Sequence, residues 1–305
     1  MSNFSVHILG SGAAVPSLER SCSGQLVICN NRHILIDCGE GTQLQLRKFN
    51  LPIQRINTIL ISHLHGDHFY GLPGLLGTMS LLGRTTGIEI FGPADLGDIL
   101  AVIFKGSQTK LDFPFTFHPI APTARTLIFE DAALCIYAFP LKHRIPCYGY
   151  AVQEKHQRFR LDIDKVEEAG FSHDHRKLLS EGVDFQRMDG TWIKYQDYTL
   201  AKPEVKMYAY CSDTMPFKKL TEYLDGTTTL YHESTFMEDR KQRANETFHS
   251  TASDAANQAV KSKVKQLLLG HFSSRYSQID GLLAEASNLF QNTRAVRDGD
   301  QFEIL

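Results

Sequence analysis

The sequence predicts an α/β fold in which strand-rich halves are each covered by helices. Short segments rich in β-branched and apolar residues begin the chain and stop at Gly or Asn, as in FSVHILG, GQLVICN and HILIDCG. Further strands are predicted in VKMYAYCSD, TTTLYHES and KQLLLGH, and helical periodicity alternates with them. No repeat with a period of about 20 to 50 residues is visible, so a solenoid is not expected.

The helices are predicted from apolar spacing and from capping residues. In PADLGDILAVIFK, Pro93 suits the first helical position and apolar residues recur on one face. In STASDAANQAVKSKV, Ser250 or Thr251 would cap a helix with a face of small residues, and YSQIDGLLAEASNLF has helical spacing as well. The chain closes with AVRDGDQFEIL, where Asp298 and Gly299 predict a hairpin turn.

Residues 153–200 differ from the rest of the chain because they are polar, charged and weakly periodic. We interpret them as an insertion that projects from the core. The predicted organisation is a single domain over residues 1–305, with 153–200 inserted into it.

Composition constrains the function only weakly. A formal net charge of -2 gives no global attraction to nucleic acid, so a polyanion would have to be held by a local basic patch. The six cysteines form no C-x-x-C pair, which favours reduced thiols. The N-terminus does not resemble a signal peptide, and no apolar run approaches the roughly 20 residues that span a bilayer. We therefore expect a soluble cytoplasmic protein.

The strongest chemical signal lies in NTILISHLHGDHFYG, which contains His63, His65, Asp67 and His68. A divalent cation needs several imidazole or carboxylate ligands at about 2.0 to 2.2 Å, and a tight turn after a strand can direct alternate side chains to one point. Gly66 permits such a turn. One zinc ion could use all four residues. The two halves of the cluster face different sides of the turn, which favours two neighbouring metals that need further ligands.

Three later residues lie at the ends of apolar strands, where such ligands could converge. His143 follows IYAFPLK, Asp213 follows MYAYCS and His271 follows QLLLG. A lone histidine at a strand end is more often a hydrogen-bonding residue than a metal ligand. Position alone leaves both roles open.

Several motifs together resemble those of a known family. SHLHGDH resembles the H-x-H-x-D-H signature of the metallo-β-lactamase superfamily. LGSGAAVPS, DCGEGTQ, PLKHRIPCYGY, YCSDT, YHEST, FHSTASDAA and GHFSSRY resemble, in this order, the motifs of the ribonuclease Z family of tRNA 3′-processing endonucleases. The resemblance covers nearly the whole chain except 153–200. It implies a metallo-β-lactamase αββα sandwich with metals at one sheet edge and an inserted flexible arm.

The resemblance also implies a reaction and its cofactors. Members of the family are zinc-dependent endoribonucleases that cut precursor tRNA after the discriminator nucleotide, leaving a 3′-hydroxyl on the tRNA and a 5′-phosphate on the trailer. Two zinc ions per subunit are implied. The implied ligands are His63, His65 and His143 for one zinc and Asp67, His68 and His271 for the other, with Asp213 bridging them.

Residue roles carry over on the matching motifs. Asp67 corresponds to the proton acceptor for the attacking water, and Glu233 in YHESTF and His249 in FHSTAS correspond to the pair that assists the leaving group. A histidine oriented by a carboxylate is a suitable proton donor near neutral pH. Ser273 and Arg275 follow His271, and Arg275 could bind a phosphate or base, or form a surface salt bridge instead.

The inserted arm offers candidate contacts to precursor tRNA. Lys155, Arg158 and Arg160 interleave with Phe159 in KHQRFR, and a cationic surface of this kind would bind RNA in a salt-dependent way. The family's arm often has a Gly-Pro-rich stretch, which AGFSHDHRKLLSEG lacks. A solvated charged insertion with no RNA role is the alternative. Because the family's arm acts across a dimer, the resemblance implies a homodimer.

Other functions share the scaffold. Glyoxalase II-like thioesterases share the metal motif but lack the paired HEST and HST segments, and a non-catalytic RNA-binding protein would be expected to have lost ligands. A hydrolase of the same superfamily that acts on small phosphodiesters would not need a basic arm. Flavo-diiron oxidoreductases place a glutamate where this chain has His65 and append a flavin domain, so redox chemistry is disfavoured.

Overall fold

The computed structural model describes residues 4–155, 158–201 and 204–305. It divides into a larger unit, which contains the chain up to Glu154 together with Lys206–Leu305, and a smaller unit, Lys155–Val205. His156 and Gln157 of the KHQRFR motif lie outside the described residues.

The elements follow one another in chain order. The larger unit begins with β1 (Phe4–Gly10), β2 (Gly12–Ala13), β3 (Gly24–Cys29), β4 (Arg32–Cys38), α1 (Thr42–Lys48), β5 (Ile56–Leu60), α2 (Gly66–Phe69), α3 (Leu72–Leu81), β6 (Ile88–Gly92), α4 (Asp95–Gly106), β7 (Phe115–Pro119), β8 (Thr126–Glu130), β9 (Leu134–Pro140) and β10 (Tyr148–Glu154). The smaller unit contains α5 (Ile163–Glu168), α6 (His173–Glu181), β11 (Phe185–Gln186) and β12 (Trp192–Ile193). The larger unit resumes with β13 (Met207–Cys211), α7 (Leu220–Tyr223), β14 (Thr229–Glu233), α8 (Lys241–Thr247), α9 (Ala252–Lys261), β15 (Gln266–Gly270), β16 (Phe272–Ser273), α10 (Asp280–Leu289), β17 (Thr293–Ala295) and β18 (Gln301–Glu303). Short 3-10 helices cover Ile53–Arg55, Tyr195–Tyr198 and Glu238–Arg240.

Two seven-stranded sheets pack face to face in the larger unit. Their strand orders are β18-β1-β3-β4-β5-β6-β7 and β17-β15-β14-β13-β10-β9-β8. The core between them joins apolar side chains of the first sheet to five buried tyrosines of the second, Tyr148, Tyr150, Tyr208, Tyr210 and Tyr231. Apolar burial of this extent is the main force that holds two sheets together.

Helices cover the outer face of each sheet. Residues of α1, α3 and α4 form one apolar cluster with the first sheet, and residues of α7, α9 and α10 form another with the second. The predicted αββα sandwich is therefore confirmed. The helix predicted from Pro93 begins at Asp95, while Thr251 caps α9 as predicted. No helix in the described ranges is both long and apolar enough to cross a membrane.

The predicted terminal hairpin is wrong. β17 pairs with β15 in the second sheet, whereas β18 pairs with β1 in the first. The turn at Asp298 therefore carries the chain from one sheet to the other, and the Asp298 carboxylate accepts hydrogen bonds from the backbone N–H groups of Ser11 and Ser21. Long-range pairing of this kind leaves no signal in the local turn sequence.

The smaller unit has a hydrophobic core of its own. Buried residues from both helices and from the β11–β12 hairpin form it: Val166, Phe171, Leu179, Phe185 and Ile193. Asp162 and Ser172 cap α5 and α6 through their side chains. The sequence pattern does not predict this core, because the apolar residues that form it are few and widely spaced. The insertion is predicted to begin at residue 153, but Gln153 and Glu154 are the last residues of β10 and belong to the larger unit.

Candidate metal centre

Parallel strands direct the site residues to a common edge. β4, β5 and β6 pair in parallel in one sheet, as do β13, β14 and β15 in the other. Asp37 lies near the end of β4, and His63 follows β5 by a short loop. In the second sheet, Asp213 follows β13, and His271 follows β15 directly. The carboxyl ends of parallel strands meet at one edge, so residues far apart in sequence converge.

One group of donor atoms gathers around His63, His65, His143 and Asp213, with all four within 4.8 Å of one another. Nε2 of His63 lies 3.7 Å and Nε2 of His143 lies 3.8 Å from Oδ2 of Asp213. Nδ1 of His65 lies 3.1 Å from Nε2 of His63. These spacings are those of atoms arranged around one ion.

A second group contains Asp67, His68 and His271, also within 4.8 Å of one another. Nε2 of His68 lies 3.4 Å and Nε2 of His271 lies 3.0 Å from Oδ1 of Asp213. The two oxygens of Asp213 thus face different groups, which is the geometry of a bridging carboxylate.

Four of the histidines are oriented through their other ring nitrogen, a common feature of metal-binding imidazoles. The Nδ1 contacts are His63 with Ser62 Oγ at 3.0 Å, His68 with Asp37 Oδ2 at 2.7 Å, His143 with the carbonyl of Phe248 at 3.1 Å, and His271 with Thr235 Oγ1 at 3.0 Å. Each Nε2 is thereby directed at the centre.

The residues fit a bound cation. Nε2 of His68 and of His271 are buried, and although both lie near Oδ1 of Asp213, neither makes a hydrogen bond of suitable geometry to any described residue. Burial lowers the pKa of His68, but the carboxylates of Asp213, Asp67 and Asp37 outweigh burial and hold that pKa well above its ordinary value. Burial would raise the pKa of Asp213, yet the surrounding histidines hold it well below its usual range. This concentration of carboxylate charge favours a positive ion, and a metal would replace the proton on His68.

Strained backbone surrounds this centre. Ala14, Asp37, Phe248 and His271 all have φ between 56° and 60°. Residues other than glycine rarely adopt this left-handed conformation, and it concentrates at functional sites. At Ala14 it directs the backbone N–H to Oδ2 of Asp67 at 2.8 Å.

Glu233 and His249 lie beside the first group. Oε1 of Glu233 lies 2.8 Å from Nδ1 of His249, and Nε2 of His249 lies 4.0 Å from Oδ2 of Asp213. Burial opposes protonation of His249, but the buried Glu233 carboxylate outweighs it and raises the pKa of His249 to about 9. The Thr235 hydroxyl donates to the other Glu233 oxygen at 2.5 Å. Glu233 therefore holds His249 in one orientation beside the donor groups and favours the protonated form of its imidazole.

A cleft of about 670 Å³ opens over the two donor groups. Ser273 and Arg275 line it, and Nε of Arg275 donates to Oγ of Ser273 at 2.9 Å. Arg144 and Arg243 line it as well. Guanidinium groups can form two parallel hydrogen bonds to a phosphate or a carboxylate, so the lining contains groups able to bind an anion.

Comparison with known proteins decides the family. Residues 4–157 match a family model described as anti-Pycsar protein Apyc1. Proteins named ribonuclease Z from Porphyromonas gingivalis and Parabacteroides distasonis are 39% and 38% identical to the chain over 304 residues, with 100% of each chain covered. The chain belongs to the ribonuclease Z family.

Solved structures agree with membership in the ribonuclease Z family. Human tRNase Z, short form, has a TM-score of 0.72 and 29% identity, with 99% of both chains covered. The metallo-β-lactamase fold protein YhfI from Bacillus subtilis has a TM-score of 0.69 at 18% identity and covers 98% of both chains, which supports the fold. The Apyc1 match ends at residue 157, before Asp213, Glu233 and His249. The full-length relatives named ribonuclease Z are therefore the more informative comparison.

The structure brings together the seven ligand candidates, Glu233, His249, Ser273 and Arg275 of this ribonuclease Z family member. Several other residues at the site were missed. Asp37 lies in the motif DCGEGTQ, where a carboxylate at a strand end could have indicated it. Thr235 lies in the motif YHEST, where a hydroxyl next to Glu233 could have done so. Arg144 follows His143 directly. Arg243 has no local signal.

The arm candidates Lys155, Arg158 and Arg160 lie in the smaller unit. Arg158 is exposed and pairs with Glu181 at 3.2 Å, and Arg160 is also exposed. Phe159 packs on Tyr195 with ring centroids 4.8 Å apart. Their role in binding RNA stays a prediction.

Proposed function

We propose that this chain is a zinc-dependent endoribonuclease that removes the 3′ trailer from precursor tRNA. It would hydrolyse the phosphodiester after the discriminator nucleotide, leaving a 3′-hydroxyl on the tRNA and a 5′-phosphate on the trailer. The observation that carries the proposal is the full-length similarity to relatives named ribonuclease Z, which extends through the smaller unit as well as the metal centre.

Two zinc ions per subunit are proposed as the cofactors. The first zinc ion would be held by His63, His65 and His143, and the second by Asp67, His68 and His271. Asp213 would be a ligand of both ions. The division of donor atoms into two groups on opposite oxygens of Asp213 supports this assignment. When bound, two such ions supply Lewis-acid stabilisation for in-line displacement at a phosphodiester.

Asp67 is proposed as the proton acceptor for the attacking water. Its carboxylate lines the cleft, and the Ala14 N–H fixes one of its oxygens. The neighbouring histidines hold the pKa of Asp67 well below its usual range even though burial opposes this, so the carboxylate is ionised. An ionised carboxylate held in one orientation can accept a proton without rearranging.

His249 is proposed to protonate the departing ribose oxygen, and Glu233 to orient it. The hydrogen bond between them fixes Nδ1 of His249 and leaves Nε2 directed toward the donor groups. The charged imidazole would give its Nε2 proton to the 3′ oxygen as the phosphorus–oxygen bond breaks.

Contacts to the rest of the substrate are assigned to two places. Arg275, held by Ser273, would bind a phosphate near the cut. Residues 153–200 would act as the tRNA-binding arm through Lys155, Arg158 and Arg160. We further propose a homodimer, as implied by the family's arm, and a cytoplasmic location, which the six free, buried cysteines favour.

The test is cleavage of a precursor tRNA that carries a 3′ trailer by the zinc-loaded protein, with both product ends mapped. Cleavage after the discriminator nucleotide with a 3′-hydroxyl on the tRNA is expected, and Asp67→Ala and Asp213→Ala should abolish it. Turnover of a small chromogenic phosphodiester without any cleavage of precursor tRNA would instead support the small-substrate hydrolase.

A further inference from the structure

One aromatic side chain in the cleft has no role in the chemistry described above. Among the described residues that line the cleft, the phenylalanine and tyrosine rings are those of Tyr70 and Phe236. Phe236 is 4% exposed, with the Arg275 guanidinium 5.0 Å from its ring centroid. Tyr70 is 67% exposed. Tyr70 therefore presents an uncovered aromatic surface to the bound substrate.

The Tyr70 ring is held in place by α2, the short helix that precedes it. A Cβ atom at Gly66 would lie 2.3 Å from Cε2 of Tyr70, so the ring rests directly on the backbone between two ligand residues. Phe69 contacts the ring edge-on at a centroid distance of 4.8 Å and is itself buried. A ring supported in this way loses little conformational freedom when a base stacks on it.

The position of Tyr70 indicates which nucleotide it would meet. Tyr70 directly follows α2, three residues after Asp67, whereas Phe236 lies beside His249, with ring centroids 6.2 Å apart. The leaving oxygen is the 3′ oxygen of the discriminator nucleotide and must lie at His249. The trailer is joined to the phosphorus through its 5′ oxygen, to the side of the line from the attacking water to the leaving oxygen. Its first base is therefore the part of the substrate that can lie against the cleft wall beside Asp67, where Tyr70 is exposed.

We infer that Tyr70 is a stacking platform for the base of the first trailer nucleotide. Aromatic side chains commonly bind splayed-out single-stranded bases in this way, and every base has a face that can stack, so the contact would tolerate any trailer sequence. The inference rests on the proposed function, because the substrate is the precursor tRNA assigned there.

The test combines Tyr70→Ala with an abasic first trailer nucleotide. On the intact substrate, Tyr70→Ala should lower kcat/KM by about 10-fold, the order of magnitude of one lost stacking contact. On the substrate without that base, Tyr70→Ala and the parent enzyme should be nearly equal. Tyr70→Phe should retain activity on both substrates. Val102→Ala, which removes an exposed apolar side chain from α4, is the matched control.

A binding measurement gives a second readout. With 2-aminopurine as the first trailer base, stacking should quench its fluorescence when the substrate binds the slowly cutting His249→Ala variant, and adding Tyr70→Ala should remove most of the quenching. The inference is overturned if Tyr70→Ala cuts the intact substrate normally, or if its defect persists with the abasic trailer. It is also overturned if the defect disappears only when the discriminator base is missing. Failure of the parent enzyme to cut intact precursor tRNA would instead overturn the proposed function.

Discussion

Asp37 supports the metal centre from behind its ligands. One carboxylate oxygen accepts the Ser62 backbone N–H at 2.7 Å, and the other contacts the Ser62 and Tyr210 hydroxyls and Nδ1 of His68. Asp37 is fully buried, so these hydrogen-bond donors and the centre itself compensate its charge in place of water. It therefore fixes both the loop after β5 and the tautomer of one ligand.

Asp37→Asn should weaken metal binding by about 10- to 100-fold, the usual cost of losing a residue that orients a metal-binding histidine. The amide nitrogen would face hydrogen-bond donors in place of an acceptor. Competition with a coloured chelator, combined with metal analysis, measures the effect. Asp131→Asn, at a carboxylate paired with Arg32 on the surface, should leave the affinity unchanged. Parent-like affinity in Asp37→Asn would show that Asp37 does not orient His68.

Thr235 connects the leaving-group pair to a metal ligand. Its hydroxyl donates to Glu233 and also lies 3.0 Å from Nδ1 of His271. Thr235→Val keeps the shape but removes a hydrogen bond to a buried carboxylate, so kcat on precursor tRNA should fall by about 10-fold or more while KM changes little. Thr235→Ser should restore most of kcat. A Thr235→Val variant with a raised KM and a normal kcat would contradict this role.

At the scale of single residues, the sequence predicts the metal ligands better than the residues that orient them. His63, His65, Asp67 and His68 form a dense local pattern, and the flanking motifs identify the other three. Asp37 lies 31 positions from His68, and Thr235 lies 36 positions from His271. A single buried carboxylate or hydroxyl has the same appearance in sequence whether it orients a ligand or satisfies the backbone.

Among the elements, parallel strands and turns explain why the site could be anticipated and the chain's end could not. Parallel pairing gathers the ends of the strands that precede His63, Asp213 and His271 without further information. His143 follows β9, which is antiparallel to β10; because β10 is also antiparallel to β13, β9 runs in the same direction as β13. β17 and β18 are short and separated by a turn signal, so their local sequence favours a hairpin. Their actual partners, β15 and β1, lie far away along the chain.

The smaller unit can be removed cleanly because its ends meet. The Glu154 N–H donates to the Lys206 carbonyl at 3.1 Å, so a short Gly-Ser linker can replace residues 155–205. If this unit is the tRNA arm, its removal should raise KM for precursor tRNA by about 10-fold or more and reduce the salt dependence of binding. Turnover of a small chromogenic phosphodiester should be spared.

A milder version of the arm experiment replaces two cations. Arg158→Ala with Arg160→Ala should weaken precursor binding and lower the slope of log affinity against log salt by about 1 to 2. The control is Lys105→Ala with Lys110→Ala on the larger unit, which also removes two positive charges and so has the same net charge as the arm double variant. Equal salt slopes for the two double variants would contradict a role of these arginines in RNA binding.

For the whole molecule, the metal centre is a concentration of charge at the edge where the two sheets meet. Asp37, Asp67 and Asp213 surround His68, and Glu233 is buried nearby. In the absence of metal, these carboxylates raise the pKa of His68 and of His249, so protons on these two side chains balance part of the negative charge. A divalent cation that binds only the folded chain would stabilise both sheets together through ligands from each.

Removal of metal should therefore lower the stability of the whole larger unit. Dialysis against a chelator is expected to lower Tm by about 5 °C or more relative to the zinc-loaded protein. The reason is that zinc at a concentration of about 1,000 times its Kd stabilises the folded state by roughly 4 kcal/mol. Asp213→Ala removes the carboxylate shared by both donor groups and should abolish most of this response, whereas Asp131→Asn should keep it. Differential scanning calorimetry with and without zinc measures all three proteins. A Tm independent of zinc in the parent protein would mean that the ligands from the two sheets do not bind metal as one centre.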